Sequence, residues 1–329
     1  MASIKQQGRY AHGSGGIVCT NPLYGIMVIC AVAINPLICD RTFASVVGKA
    51  TSSRAAREDA IRSIPFDRLT EDVQERITDI VHRPTIFRRM PIKVIDCDPE
   101  LYRFLVRYPE VVVNIWKLMN ITNVSLQRTG RYTLDAADGA GTISSMELVY
   151  GTQDTHLIYC DGAYEGPLFR RPVNGRCVLL LKSGFVETEK SRTHVVNRLD
   201  VFLQLDHAGA EVLTKTLHPL VGRSADVNFL ESTEFLQRIS RTAEQNGPGM
   251  QRLALRLDDV HDAVRRRFAD LMGTVNANAT QSQALHVPGG GLSNSASVEA
   301  TARAPRERAT PVSPLGSRSA TNPTPPQRR

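Results

Sequence analysis

The sequence predicts an α+β domain in which a curved antiparallel sheet of about seven strands wraps a C-terminal helix, with extra helices outside it. Two observations carry this. From Val124 the apolar residues alternate with period two through a series of runs separated by turn residues. After His218-Pro219 the period changes to that of a helix and stays there to Met272.

The N-terminus is a separate matter. Ile17 to Cys39 is an uncharged, largely apolar run, preceded by Lys5 and Arg9 and closed by Asp40-Arg41. Leu23 to Ile34 fits the apolar centre of a signal peptide, and Ala31-Val32-Ala33 has the small-x-small pattern of a cleavage site. The run is also long enough to span a bilayer, although Asn21-Pro22 and Asn35-Pro36 interrupt it. Residues 1–44 are therefore expected to be a signal peptide or an uncleaved membrane anchor, with a buried core helix as the third reading. Either of the first two makes the protein exported or membrane-anchored, in the periplasm or cell envelope.

Residues 45–56 are small and polar and read as a linker. Glu58 to His82 reads as helix broken near Pro65, and its second half places Val73, Ile77, Ile80 and Val81 on one face. This half is expected to pack on the outside of the domain. Met90 to Asp96 reads as a strand. Asp98 is then the N-cap of a helix with Pro99 at its first position. Leu101, Phe104 and Leu105 form its apolar face, and Pro109 breaks and restarts it. The second piece carries Val112, Ile115, Trp116 and Met119 at helical spacing, with Trp116 a core residue by default.

Strands are expected at 124–135, 142–150, 155–164, 176–187, 193–206 and 209–217. In the fifth, Val195, Leu199, Val201, Leu203 and Leu205 share one face, and His194, Arg198, Asp200, Gln204 and Asp206 the other. This reads as a sheet with one covered and one wet face. Helices follow at Asp226 to Glu244 and at Met250 to Met272. The latter carries a stripe of Met250, Leu253, Leu257, Val260, Val264, Phe268 and Leu271. From Gly273 the chain has almost no large apolar residue and reads as a disordered Pro/Ser/Thr/Arg tail.

The net charge of +7 sits at the ends. Lys5, Arg9, Arg41 and Lys49 outweigh Asp40 before residue 51, and six arginines outweigh Glu299 and Glu307 after residue 272, so 51–272 is neutral. A neutral centre lacks the electrostatic motive for binding nucleic acid, and none is expected as a partner. Cys19, Cys30 and Cys39 lie in the N-terminal run. Cys160 and Cys177 lie on adjacent predicted strands, as an oxidised pair or as two thiols. No P-loop, dinucleotide fingerprint, paired-Cys zinc motif or His-Glu-x-x-His is present. No catalytic residue, metal site or cofactor is predicted.

The order of Pro91 to Asp96, the helix pair 98–119, the strands of 124–217 and the helical stripe of 250–271 resembles the START-like helix-grip superfamily, which includes polyketide cyclases. The resemblance covers about 180 residues, 86–272, and has no short diagnostic motif. It departs in one respect, since the family ends in a single long helix and this chain has Asp226 to Glu244 before the last one. The resemblance implies a cavity between sheet and helix that binds or transports a lipid, polyketide or aromatic compound. A cyclase- or aromatase-like enzyme and a structural envelope protein with a filled cavity are the alternatives. The expected lining is Asn197, Met146, Tyr150, Leu199, Val201, Trp116 and Leu257. Asn197 is the one polar residue on the apolar face of its strand, and a buried amide needs partners. On the enzyme reading Asn197, Tyr150 or His156 polarises a substrate. An apolar small molecule is the expected partner, and a membrane surface the second.

Overall fold

The computed structural model describes residues 45–166, 171–188, 192–206 and 218–285. The predicted strand at 209–217, the apolar run at 17–39 and the tail beyond Leu285 lie outside these.

The described residues form an α+β structure with one all-antiparallel sheet, not closed, and seven α-helices. The strands are β1 Ser45–Gly48, β2 Ile86–Arg89, β3 Ile92–Asp96, β4 Ser125–Arg128, β5 Thr133–Ala137, β6 Thr142–Gly151, β7 Thr155–Tyr164, β8 Val173–Glu187 and β9 Thr193–Leu205. The helices are α1 Arg54–Arg62, α2 Glu71–His82, α3 Pro99–Arg107, α4 Pro109–Leu118, α5 His218–Gln245, α6 Gly247–Ala254 and α7 Asp262–Leu285. The sheet order is β1-β3-β9-β8-β7-β6-β5-β4, and β2 pairs with β9 beyond the end of β3.

Several boundaries correct the sequence reading. The strand expected over Met90 to Asp96 is β3, which starts at Ile92, and a separate strand, β2, precedes it; Pro91 has no N–H to give the ladder, and Met90 N donates to Leu199 O (2.9 Å) at the break. The run 124–135 is a hairpin, β4 and β5, that turns through Thr129 to Tyr132 around Gly130. The linker at 45–56 holds β1, paired with β3, and the start of α1, whose N-cap Ser53 accepts from Ala56 N. The N-cap at Asp98 is as expected: its carboxylate accepts from Leu101 N at 2.9 Å.

Helices lie on both faces of the sheet, and the outer face of β4–β6 stays exposed, with Ile143 in the open. On the outer face, α2 buries Val73, Ile77, Ile80 and Val81 against Leu157, Val178, Leu180 and Phe202. The wet face expected on β9 is thus covered around Asp200, while His194, Arg198 and Gln204 stay half-buried. Asp200 is 0% exposed. It accepts from Arg89 Nε (2.6 Å), and Arg198 Nε lies 3.3 Å away. Both arginines also meet Asp59 of α1, at 2.8 and 3.4 Å. Charges that alternate as on an exposed strand are instead paired beneath a helix. Burial pushes the Asp200 carboxyl up, and the hydrogen bonds and charge of Arg89, then Arg198, oppose it.

On the other face lie α3, α4 and α5, with α6 and α7 packed behind them. Gln237 and Ser240 of α5 accept from the backbone N–H of Asp96 (3.0 Å) and Asp98 (2.9 Å). Arg88 of β2 pairs with Asp226 of α5. The single helix expected over Met250 to Met272 is two, α6 and α7, joined through residues 255–261. Reversing the chain there buries Met250 and Ala254 of α6 in the same cluster as Val264 and Phe268 of α7. The stripe is therefore buried as a helical hairpin, with Leu257 and Val260 in the bend. The helix then continues past 272, correcting the tail boundary: Val275 is buried and Asn276 Nδ2 donates to Glu244 O (2.8 Å).

Candidate ligand cavity

Between the sheet, the α3–α4 pair and α5 lies a cavity of about 250 Å³. Its floor is Leu126, Ala136, Met146, Leu179, Leu181 and Asn197 of five strands. Helix α5 contributes Phe229, Ser232, Thr233 and Leu236, and α3 and α4 contribute Tyr102, Leu105, Val113 and Trp116 among others. Among the described residues the lining carries no charged side chain.

Three buried polar side chains, Tyr102, Asn197 and Ser183, meet at its wall. The Tyr102 hydroxyl donates to Asn197 Oδ1 and shares a hydrogen bond with Ser183 Oγ at 2.7 Å. Asn197 is 1% exposed, and its Nδ2 has no hydrogen-bond partner among the described residues. Trp116 Nε1, in the lining contributed by α4, is also buried without a partner. Burial pushes the Tyr102 phenol well above its ordinary value, against the smaller influence of the Ser183 bond, so it stays protonated as a donor. Thr233 bonds its hydroxyl to Phe229 O at 3.0 Å and Leu230 O at 2.9 Å, as Thr on a helix commonly does. The unpaired buried donor atoms on the described walls are thus Asn197 Nδ2 and Trp116 Nε1.

Three of the predicted lining residues, Asn197, Met146 and Trp116, come together here. Four do not. Leu199 and Val201 share the Asn197 face of β9 but pack with Met90 and Phe229 in a neighbouring cluster. Leu257 is buried in the α6–α7 bend. Tyr150 is on the outer face, packed with the α2 cluster, because a bulge between Leu148 and Tyr150 sets it opposite Leu157. A bulge reverses the alternation on which the shared face of Met146 and Tyr150 depended. His156 is buried on β7 outside the lining. Burial, then the charge of Arg107, holds its imidazole below the ordinary value.

Tyr102 and Ser183 were missed. Tyr102 stands beside the Leu101-Phe104-Leu105 stripe, and its one sequence signal is a polar aromatic at the rim of an apolar face. Cys160 and Cys177 are opposite each other in the β7–β8 register, both buried, with no disulfide between them. Among the described residues no group of His, Cys, Asp or Glu is placed to hold a metal ion. No helix among them is long and apolar enough to cross a membrane. In comparisons with known proteins, no family model and no curated sequence matches the chain.

Proposed function

We propose that the protein binds a small apolar molecule carrying a hydrogen-bond acceptor in the cavity between the sheet and helix α5. One observation carries this reading: the Asn197 amide, held by Tyr102, leaves a buried N–H donor unpaired at an apolar cavity. An unpaired buried donor costs about 1–3 kcal/mol, which a ligand carbonyl or ether oxygen would offset.

Volume sets the size of the guest. A dry apolar cavity of about 150 Å³ holds benzene. By proportion, 250 Å³ holds ~10 non-hydrogen atoms, which favours an aromatic or small polyketide-like compound over a whole lipid. The START-like reading is proposed on the same terms. The helix pair, the antiparallel sheet and a cavity between them support it. The helical hairpin after α5 and the α1–α2 layer over the outer face are departures from it.

Binding is favoured over catalysis because the described lining offers no acid–base pair. The enzyme reading also loses two of its three residues, since Tyr150 and His156 do not reach the cavity. Export to the cell envelope is proposed from the apolar run at 17–39 alone.

Native mass spectrometry of the full chain, purified without detergent from its source, tests the reading. A discrete added mass is expected, lost on denaturation and reduced in Asn197→Ala. A ligand retained equally by Asn197→Ala would move the site elsewhere, and a bare mass, unchanged on adding small aromatic ketones, would refute the proposal.

A further inference from the structure

Three arginines meet where α3 ends and the β4–β5 hairpin turns. Arg107 is the last residue of α3, Arg128 the last of β4, and Arg131 lies in the turn beside Tyr132. Arg107 Nη2 (3.1 Å) and Arg128 Nη1 (3.2 Å) both donate to the Arg131 carbonyl oxygen, which holds the two guanidiniums side by side. The guanidinium carbons of Arg107 and Arg131 lie 4.4 and 5.2 Å from the centre of the Tyr132 ring. Tyr132 is 43% exposed.

The charges do not balance. Arg128 is matched by the buried Glu110, through Nε–Oε1 at 2.6 Å and Nη2–Oε2 at 2.9 Å. Among the described residues no carboxylate pairs with Arg107 or Arg131. Burial, and then the positive charges of Arg128 and Arg131, depress the Arg107 guanidinium. A half-buried cation pressed against like charges is stabilised by any anion that reaches it. The Arg107 guanidinium, already fixed by the Arg131 carbonyl, loses little freedom in forking onto tetrahedral oxygens.

We propose that Arg107 and Arg131, stacked on Tyr132, form a binding site for a phosphate group. Aromatic support of a guanidinium leaves its N–H edge available, and Arg131 and Tyr132 are both exposed at the hairpin turn. The site is independent of the cavity reading, although Val106 and Pro109, on either side of Arg107-Tyr108, line the cavity wall. The phosphate has two sources, a free phosphate compound or a lipid headgroup.

Titration calorimetry of the full chain with inorganic phosphate, and co-sedimentation with phosphatidylcholine vesicles with and without phosphatidic acid, separate these. Arg107→Gln and Arg131→Gln are each expected to weaken the responding arm about tenfold. Arg131→Gln changes only an exposed side chain, so it carries the test if Arg107→Gln does not fold. A calorimetric response alone assigns free phosphate, and a vesicle response alone assigns the headgroup. If neither probe distinguishes the wild type from Arg131→Gln, the site is refuted. That includes vesicle binding driven equally in both by the basic chain ends.

Discussion

The Tyr102 hydroxyl donates a hydrogen bond to Asn197 Oδ1, joining helix α3 to strand β9 at one end of the cavity. Ninety-five positions separate them in sequence. The bond fixes which part of the Asn197 amide is already partnered and which part a ligand finds open.

Removing that hydroxyl should be felt in the empty protein. Tyr102→Phe keeps the ring packed and removes a buried hydroxyl that donates to Asn197 and accepts from Ser183, so it should cost about 1–2 kcal/mol. Urea unfolding of both proteins measures this. An unchanged midpoint would show that the bond contributes nothing to stability.

The buried ions under α1 make a second prediction. Asp200→Ala leaves Arg89 and Arg198 with Asp59 as their one carboxylate among the described residues, and should destabilise by about 3 kcal/mol, toward the low end for breaking a buried pair because Asp59 remains. Replacing both Arg89 and Asp200 by apolar residues of similar size should recover much of the loss. A double variant less stable than Asp200→Ala would mean that the ion cluster itself, and not the burial around it, holds α1 to the sheet.

His156 predicts how stability changes with acidity. Its folded-state pKa lies below the unfolded value because burial penalises the charged ring and Arg107 repels it. The unfolded chain therefore takes up a proton before the folded one. This contribution is complete above the unfolded value of about 6.5 and is lost as the pH falls through the folded value. Asp59, held below its ordinary value first by its hydrogen bond from Arg89, has the same sign in a lower window, below about pH 4. Melting temperatures measured from about pH 7.5 to 5 should fall in the wild type and fall less in His156→Leu. Parallel profiles would remove His156 from the account.

Local signals were legible and distant pairings were not. Asp98-Pro99 and Pro109 announce helix starts through backbone chemistry that needs no tertiary context. The α2 stripe of Val73, Ile77 and Ile80 likewise finds a sheet because nothing else can cover it. The Leu148–Tyr150 bulge leaves no mark in composition, yet it moves Tyr150 to the opposite face. Arg198 and Asp200 have the pattern of an exposed strand, and only the arrival of Asp59 on α1 makes them interior. Asn197 could be singled out as a polar residue on an apolar face. Its partner Tyr102 could not, because the pairing exists only once α3 lies across β9.

The most direct test of the cavity compares two bicyclic guests, 1-indanone and indane, which differ by one carbonyl oxygen. The account predicts that both bind the full chain and that the ketone binds about three- to tenfold tighter, an advantage lost in Asn197→Ala. Equal affinities in the wild type, or no binding of either, would contradict it.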